Sequence, residues 1–382
     1  MSPLALRSRK TLSLFSLLFL SLLSATYAAQ WRPIGPEGAS IRSLAGAPGG
    51  RVYALTSGGR LYGSSDGAAA WSPVRSDSPA FRKLVADPSH PEVLYGLTFA
   101  GSLAKSVDGG ATWSDPLLTG FLWTFQIAPS SPDVLYAARD QEILKSTDGG
   151  ASWAPTSFAG KPAFVLAVDP SNPLVVYAGV PDGVLRSDDG GATWTALQGP
   201  GIGLGDLAIV PRQPATLYGL SYDEVLKSTD RGASWSRVWK APADSFIFPQ
   251  KLAIDPVTGT VYMLDRESGV YSSTDGGASW PRTLSLYGAN DLAVDGQTPG
   301  RVYVGTDAGG VYRSDDRGGT WAVANHGLRE LAFTAVAADP HTRGVLFAIA
   351  NPDPSAPLAF GPQFLLRSAD GGATWSSPFG DP

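Results

Sequence analysis

Five carboxylates lie in segments that break an otherwise regular sequence: Glu142, Asp223, Glu224, Asp265 and Glu267. Glycoside cleavage generally needs two positioned carboxyl groups, one as acid and one as base or nucleophile. These five are therefore the candidate catalytic residues, provided their loops converge. Glutamate is scarce, at positions 37, 92, 142, 224, 267 and 330. Much of the aspartate recurs in one pattern. Asp66, Asp108, Asp148, Asp189, Asp230, Asp275, Asp316 and Asp370 each stand third in an octapeptide, Ser-x-Asp-x-Gly-x-[Ser/Thr]-Trp. The first copy, Ser64–Trp71, has Ala68 in place of the glycine and Ala70 in place of the hydroxyl residue. Asp188-Asp189-Gly190 and Asp315-Asp316 superficially resemble calcium loops. They lack the alternating carboxylates and distal glutamate that such loops use, so no metal is expected, and no cofactor motif is present. A turn aspartate can instead accept hydrogen bonds from its own backbone, which makes these eight residues structural.

Positioning any of these groups falls to a repeat. The octapeptide tryptophans are spaced 42, 40, 41, 41, 45, 41 and 54 residues apart. An apolar–aromatic pair precedes each octapeptide, from Val52-Tyr53 to Leu346-Phe347. Before that comes a short apolar run, ending in several units at an Asp-Pro turn such as Asp169-Pro170. Each unit reads as four short strands: A before the proline turn, B carrying the tyrosine, C running into the octapeptide, and D starting at the tryptophan. Four strands in about 40–45 residues is the size of a propeller blade. Segments so broken by Gly and Pro are too short for a 3.6-residue helical period.

The octapeptide resembles the Asp box, or BNR repeat, of bacterial sialidases, sortilin-type receptors, xyloglucanases and photosystem II assembly factors. The resemblance implies an all-β fold, a single β-propeller of four-stranded blades spanning residues 29–382, with the boxes on the outer, lower part of each blade. Eight repeats favour eight blades, with seven as the alternative; Trp31 would complete the last blade as a displaced strand D. The resemblance is specific for fold and poorly specific for function.

Composition narrows the setting. Gly (45) and Pro (31) are abundant, yet 43% of the chain is apolar and only 16% charged, the opposite of a disordered balance. Arg7, Arg9 and Lys10 precede an apolar stretch, Leu12–Leu23, and the small residues at Thr26 and Ala28. This is the pattern of a signal peptide over residues 1–28, cleaved near Ala28, giving a secreted or periplasmic chain with no membrane span in its mature part. There is no cysteine, so no disulfide supports the fold. Cleavage would remove three of the 29 basic residues and none of the 34 acidic ones. That balance argues against nucleic acid as a partner, and a monomer is expected.

Alternation places the A–B turns and the octapeptides at one end of each blade, and the B–C and D–A loops at the other. Irregularity at the second end marks the functional face. The candidate binding residues there are Phe121, Trp123, Arg139, Arg266, Tyr287, His326, Arg329 and Phe360, the last in a Pro-rich insertion, Asn351–Pro362. The expected function is a non-catalytic binding or assembly scaffold for a protein or carbohydrate ligand. The alternative is a glycoside hydrolase, sialidase-like or glucan-active. Against it, no Phe-Arg-Ile-Pro-like motif precedes the repeats, sialidases are six-bladed, and xyloglucanases use two propellers.

Overall fold

Seven tyrosines at the same place in strand B are almost wholly buried: Tyr53, Tyr95, Tyr136, Tyr177, Tyr218, Tyr262 and Tyr303. The residue types around them, β-branched or aromatic and bounded by turn residues, favour short strands. In the computed structural model these strands form antiparallel sheets. It describes residues 39–325 apart from 198–200, 202, 244, 246 and 308, together with the backbone of Ala332–Ala338, Leu346–Asn351 and Phe364–Ser368. Blade 1 has strands Ile41–Ala47, Arg51–Thr56, Leu61–Ser64 and Ser72–Arg75, paired in chain order. The inner strands of blades 2 to 7 are Phe81–Ala86, Leu122–Ile127, Val165–Asp169, Asp206–Ile209, Pro249–Ile254 and Ala289–Val294. Blade 2 has three regular strands, and its outer edge is supplied by a bridge from Leu103 to Leu118.

Each tyrosine reaches the next blade. Tyr53 donates to the Pro91 carbonyl at 2.9 Å, Tyr95 to that of Gly149 at 3.0 Å, and Tyr136 to that of Pro173 at 2.8 Å. Tyr177 is equally buried with no hydrogen-bond partner for its hydroxyl, so burial of the ring is the common element. A cation at the end of strand C repeats the link to the neighbouring octapeptide: Lys105 donates to Gly149 O (3.1 Å) and Lys227 to Gly276 O (2.6 Å).

The same contact decides the blade count. Arg313 of blade 7 donates to Gly67 O of blade 1 at 2.8 Å. Trp71 Nε1 donates to Ala324 O at 2.7 Å. Ile41, Val52 and Trp71 share one core cluster with Ala293, Tyr303 and Val311. The ring therefore closes from blade 7 directly onto blade 1, and the expectation of eight blades is overturned. The propeller has seven. The eighth repeat contributes three strands, Ala332–Ala338, Leu346–Asn351 and Phe364–Ser368, to a sheet of its own, and all three, apart from Ala332 and Asn351, belong to a separate compact unit. Repeat number counts sheets; the number that closes a ring depends on the angle at which neighbouring sheets pack. Closure also needs no exchanged strand, because blades 1 and 7 are each continuous in sequence. Trp31 and Asp370 lie outside the described residues.

The octapeptide turn is one local network. In the Asp189 copy, Ser187 Oγ donates to Asp189 Oδ1 (2.8 Å) and accepts from Gly191 N (2.8 Å). Thr193 donates its N–H to Oδ1 (2.8 Å) and its hydroxyl to Oδ2 (2.6 Å). Gly191 has φ 94°, and its counterpart Ala68 is held at φ 63°, a region that disfavours side chains. Trp71 is buried, but the octapeptide tryptophans of blades 2 to 7 are half-buried. Three of them donate to a glycine carbonyl of their own turn, as Trp153 does to Gly150 O at 3.0 Å.

Trp71→Ala, at the closing seam, should lower unfolding free energy by about 3–5 kcal/mol, and Trp194→Ala by about 1–3 kcal/mol because its ring is only half-covered; urea unfolding curves measure both. Hydroxyl and then backbone hydrogen bonds hold the carboxyls of Asp108, Asp148, Asp189 and Asp230 down at about 2. A depressed carboxyl stabilises above its unfolded value of about 3.9 and loses that contribution as pH falls through the folded value. The melting temperature should therefore drop between about pH 4 and pH 2. Thr193→Val should move the Asp189 titration, read by carboxyl NMR, up toward the ordinary value.

Candidate functional site

The inner strands place one residue per blade at the same register, opposite the second residue after each strand-B tyrosine. These residues are Ser43, Lys83, Thr124, Val165, Asp206, Lys251 and Asp291. In blades 1, 2, 3, 6 and 7 the register shifts just before this residue. The displaced residues are Arg42, Arg82, Trp123, Gln250 and Asn290. A bulge of this kind re-aims a side chain beside a site. Here it sets two side chains in each of these five blades near the D–A end.

Polar members of the ring tie neighbouring inner strands together. Asp291 Oδ2 accepts from Ser43 Oγ (3.0 Å) and Leu44 N (2.7 Å). Ser43 Oγ in turn accepts from Leu84 N at 3.0 Å. Lys251 pairs with Asp291 Oδ1, which also accepts from Leu292 N at 2.9 Å. Asp206 accepts from Leu252 N (2.7 Å) and Leu207 N (2.9 Å). Burial pushes the Asp206 carboxyl up against these donors. Burial, reinforced by the Lys251 charge, pushes the Lys83 ammonium down.

Around this ring the loop end carries exposed aromatic rings. Phe121 and Trp123 pack edge-to-face at 5.0 Å, and Trp123 and Phe164 at 5.2 Å. All three rings remain substantially exposed. Tyr222 packs at a tilt against Phe248, 4.9 Å between ring centroids, and the Arg42 guanidinium lies over Phe99 at 4.8 Å. Tyr287 is 75% exposed. Phe158, another aromatic of a D–A connection, is instead buried against Trp194.

The sequence-derived acids do not assemble into one site among the described residues. Glu142 pairs with Arg139 at 2.6 Å, within its own hairpin. Glu224 is held low by Lys240 and Arg237, each 2.9 Å away. Asp223 shares Lys240 at 3.4 Å. Asp265 is buried and accepts from Phe248 N (2.7 Å), Ser268 N (2.6 Å) and Ser268 Oγ (2.5 Å), fastening one loop to the next. Glu267 is exposed. Of the candidate binding residues, Phe121, Trp123 and Tyr287 stand on the open face. Arg139 also donates to Thr119 O, and Arg266 pairs with Asp307 at 2.6 Å. His326, Arg329 and Phe360 lie outside the described residues. Sequence reasoning missed Arg42, Arg82, Lys83, Asp206, Lys251 and Asp291. Their signal was a charge interrupting an apolar strand A, two or three positions in, as in Phe81-Arg82-Lys83-Leu84.

With this geometry in place, the fold has clear relatives. A model of the DUF6242 β-propeller domain matches residues 20–120. The shared feature is the propeller. No curated protein sequence matches the chain. Among solved structures, a GH74 enzyme from Niastella koreensis is similar over 89% of this chain and 66% of its own, at 18% identity and a TM-score of 0.63. The GH74 xyloglucanase from Xanthomonas campestris is similar over 92% and 69%, at 18% identity and a TM-score of 0.66. YCF48 from Cyanidioschyzon merolae is similar over 76% of this chain and 99% of its own, at 14% identity and a TM-score of 0.54. A further structure, of YCF48 bound to D1 peptide, reaches 16% identity and a TM-score of 0.54. The chain thus spans about two thirds of the length of the first two enzymes. At these identities the likeness is one of fold.

The ring gives its own test. Asp291→Ala would strand Lys251 and three other hydrogen-bond donors in a largely buried site, and should cost about 3–5 kcal/mol. Urea unfolding checks this value, and a loss below about 1 kcal/mol would mean that water replaces the carboxylate.

Proposed function

We propose that this chain is an exported, non-catalytic scaffold that binds a segment of another protein through the B–C and D–A end of its propeller. The observation that carries the reading is the contrast at that end. Exposed aromatic rings gather at the ring's mouth, while the carboxylates suited to acid–base work are ion-paired, fastened into turns or left alone on a loop. Exposed aromatics rimmed by polar groups are the usual mark of a protein-binding surface. The Phe121, Trp123 and Phe164 rings pack edge-to-face, so they offer a corrugated apolar surface in place of the parallel platform on which sugar rings stack. The octapeptide's likeness to the Asp box supports the assignment of the other end as structural. The Arg- and Lys-led N-terminal segment supports export, and the likeness to YCF48, one structure of which holds a peptide, supports the ligand class.

Glycoside hydrolysis is the second reading. The GH74 neighbours favour it, as does Asp206, a half-buried carboxyl raised from its ordinary value by desolvation, as a general acid needs to be. Both readings meet in one assay. The purified protein is incubated with a fluorogenic sialoside and a panel of β-glucans, xyloglucan included. No turnover is expected. Clear turnover that disappears in Glu224→Gln, Glu267→Gln or Asp206→Asn would overturn the scaffold reading.

A further inference from the structure

Cations at the loop end divide into two groups. Arg139, Lys161, Lys240 and Arg266 each hold a carboxylate: Glu142, Asp182, Glu224 and Asp307 respectively. Arg42, Arg82 and Lys83 have no ion pair among the described residues. All three stand on the two inner strands of blades 1 and 2, which pack side by side and are joined by the bond from Leu84 N to Ser43 Oγ. Arg42 lies over the exposed Phe99 ring. Arg82 donates through Nη2 to the carbonyls of Leu122 and Trp123, both at 2.8 Å, and its buried Nε has no partner. The Lys83 ammonium lies 5.8 Å from the centroid of the Phe125 ring. The carboxylates whose charges act on it are Asp206 and Asp291, and both are engaged elsewhere in the ring, by backbone donors and by Lys251.

Three neighbouring cations without an ion pair among the described residues stand out in a chain of net charge −5. Collecting them at one mouth costs self-repulsion, and the removal of Lys83 from water adds to that cost. Beside them stand Phe121, Trp123 and Phe164. We propose that the mouth of blades 1 to 3 is a carboxylate-binding site for an acidic protein segment, in which Arg42 and Lys83 take a side-chain or terminal carboxylate and the adjacent aromatic cluster takes an apolar neighbour. Arg82, braced against blade 3 by two carbonyls, orients that wall and presents its remaining positive charge. This inference rests on the scaffold reading and adds the chemistry of the partner. Charge complementarity favours such a segment over a second copy of this acidic chain.

The test is selection from a random heptapeptide display library, using the full-length protein and a double variant, Arg42→Gln with Lys83→Met. Both forms are first checked for unchanged melting temperature, with the single variants in reserve should the double variant melt early. Peptides selected by the native protein should be enriched in Asp and Glu beside Phe, Leu or Trp. A selected acidic peptide should bind the double variant about tenfold more weakly, equivalent to about 1.4 kcal/mol, and raising the salt concentration should weaken only its binding to the native protein. Trp123→Ala should reduce the apolar preference and leave the acidic one. Neutral or basic selected sequences, or equal affinity for the double variant, would overturn the carboxylate site while leaving a peptide scaffold intact. Selection of no peptide, together with binding of xyloglucan or a uronate polymer, would overturn both.

Discussion

The ring depends on a tyrosine wedge. Every described blade buries a strand-B tyrosine at its lower end, against the turns of the blade that follows. The chain has no disulfide to hold its sheets in a circle, and a four-stranded sheet has two apolar faces that must each find a neighbour. The tyrosine supplies a large ring for that interface, and where a carbonyl of the next turn lies within reach it also supplies a hydrogen bond. Burial holds these phenols protonated well beyond neutral pH, with Tyr136 and Tyr218 pushed up to about 12. The octapeptide is the other half of the same joint. Its hydrogen bonds fix the turn that presents the glycine carbonyls to the preceding blade's tyrosine and cation.

This joint leaves the two ends of the propeller with different freedom. At the lower end the side chains answer to their neighbours, which is why one octapeptide recurs with so little change. At the loop end nothing in the joint constrains the chain, and there the blades differ. The inner-strand ring shows the transition. Asp291, Ser43 and Lys251 still bind blade to blade, whereas one residue away the bulged positions carry Arg42, Arg82 and Trp123 toward the open face.

The same division explains how the acidic residues sort. Asp265 looked catalytic because it interrupts a regular strand end, and the structure spends both of its oxygens on loop donors. Glu142 and Glu224 looked free in sequence, but each lies within a few residues or one hairpin of a cation. A linear sequence does not show which side chains a hairpin brings level. Conversely, Lys83 reads as an ordinary strand lysine until its neighbours are seen to be a lysine, an arginine and two aspartates already engaged.

Period, turn chemistry and strand alternation are local, so the sequence alone determined the four-stranded blade, the order of its strands, and the octapeptide turn between C and D. It also placed Phe121, Trp123 and Tyr287 on the open end. The blade number was decided only in three dimensions. Eight similar units hold no information about the angle between sheets, and that angle is set where Trp71, Tyr303 and Arg313 meet from opposite ends of the ring. The site was decided there too. Arg42, Arg82 and Lys83 become a cluster because two inner strands about 40 residues apart lie side by side, and because the carboxylates acting on Lys83, Asp206 and Asp291, also serve backbone donors and Lys251.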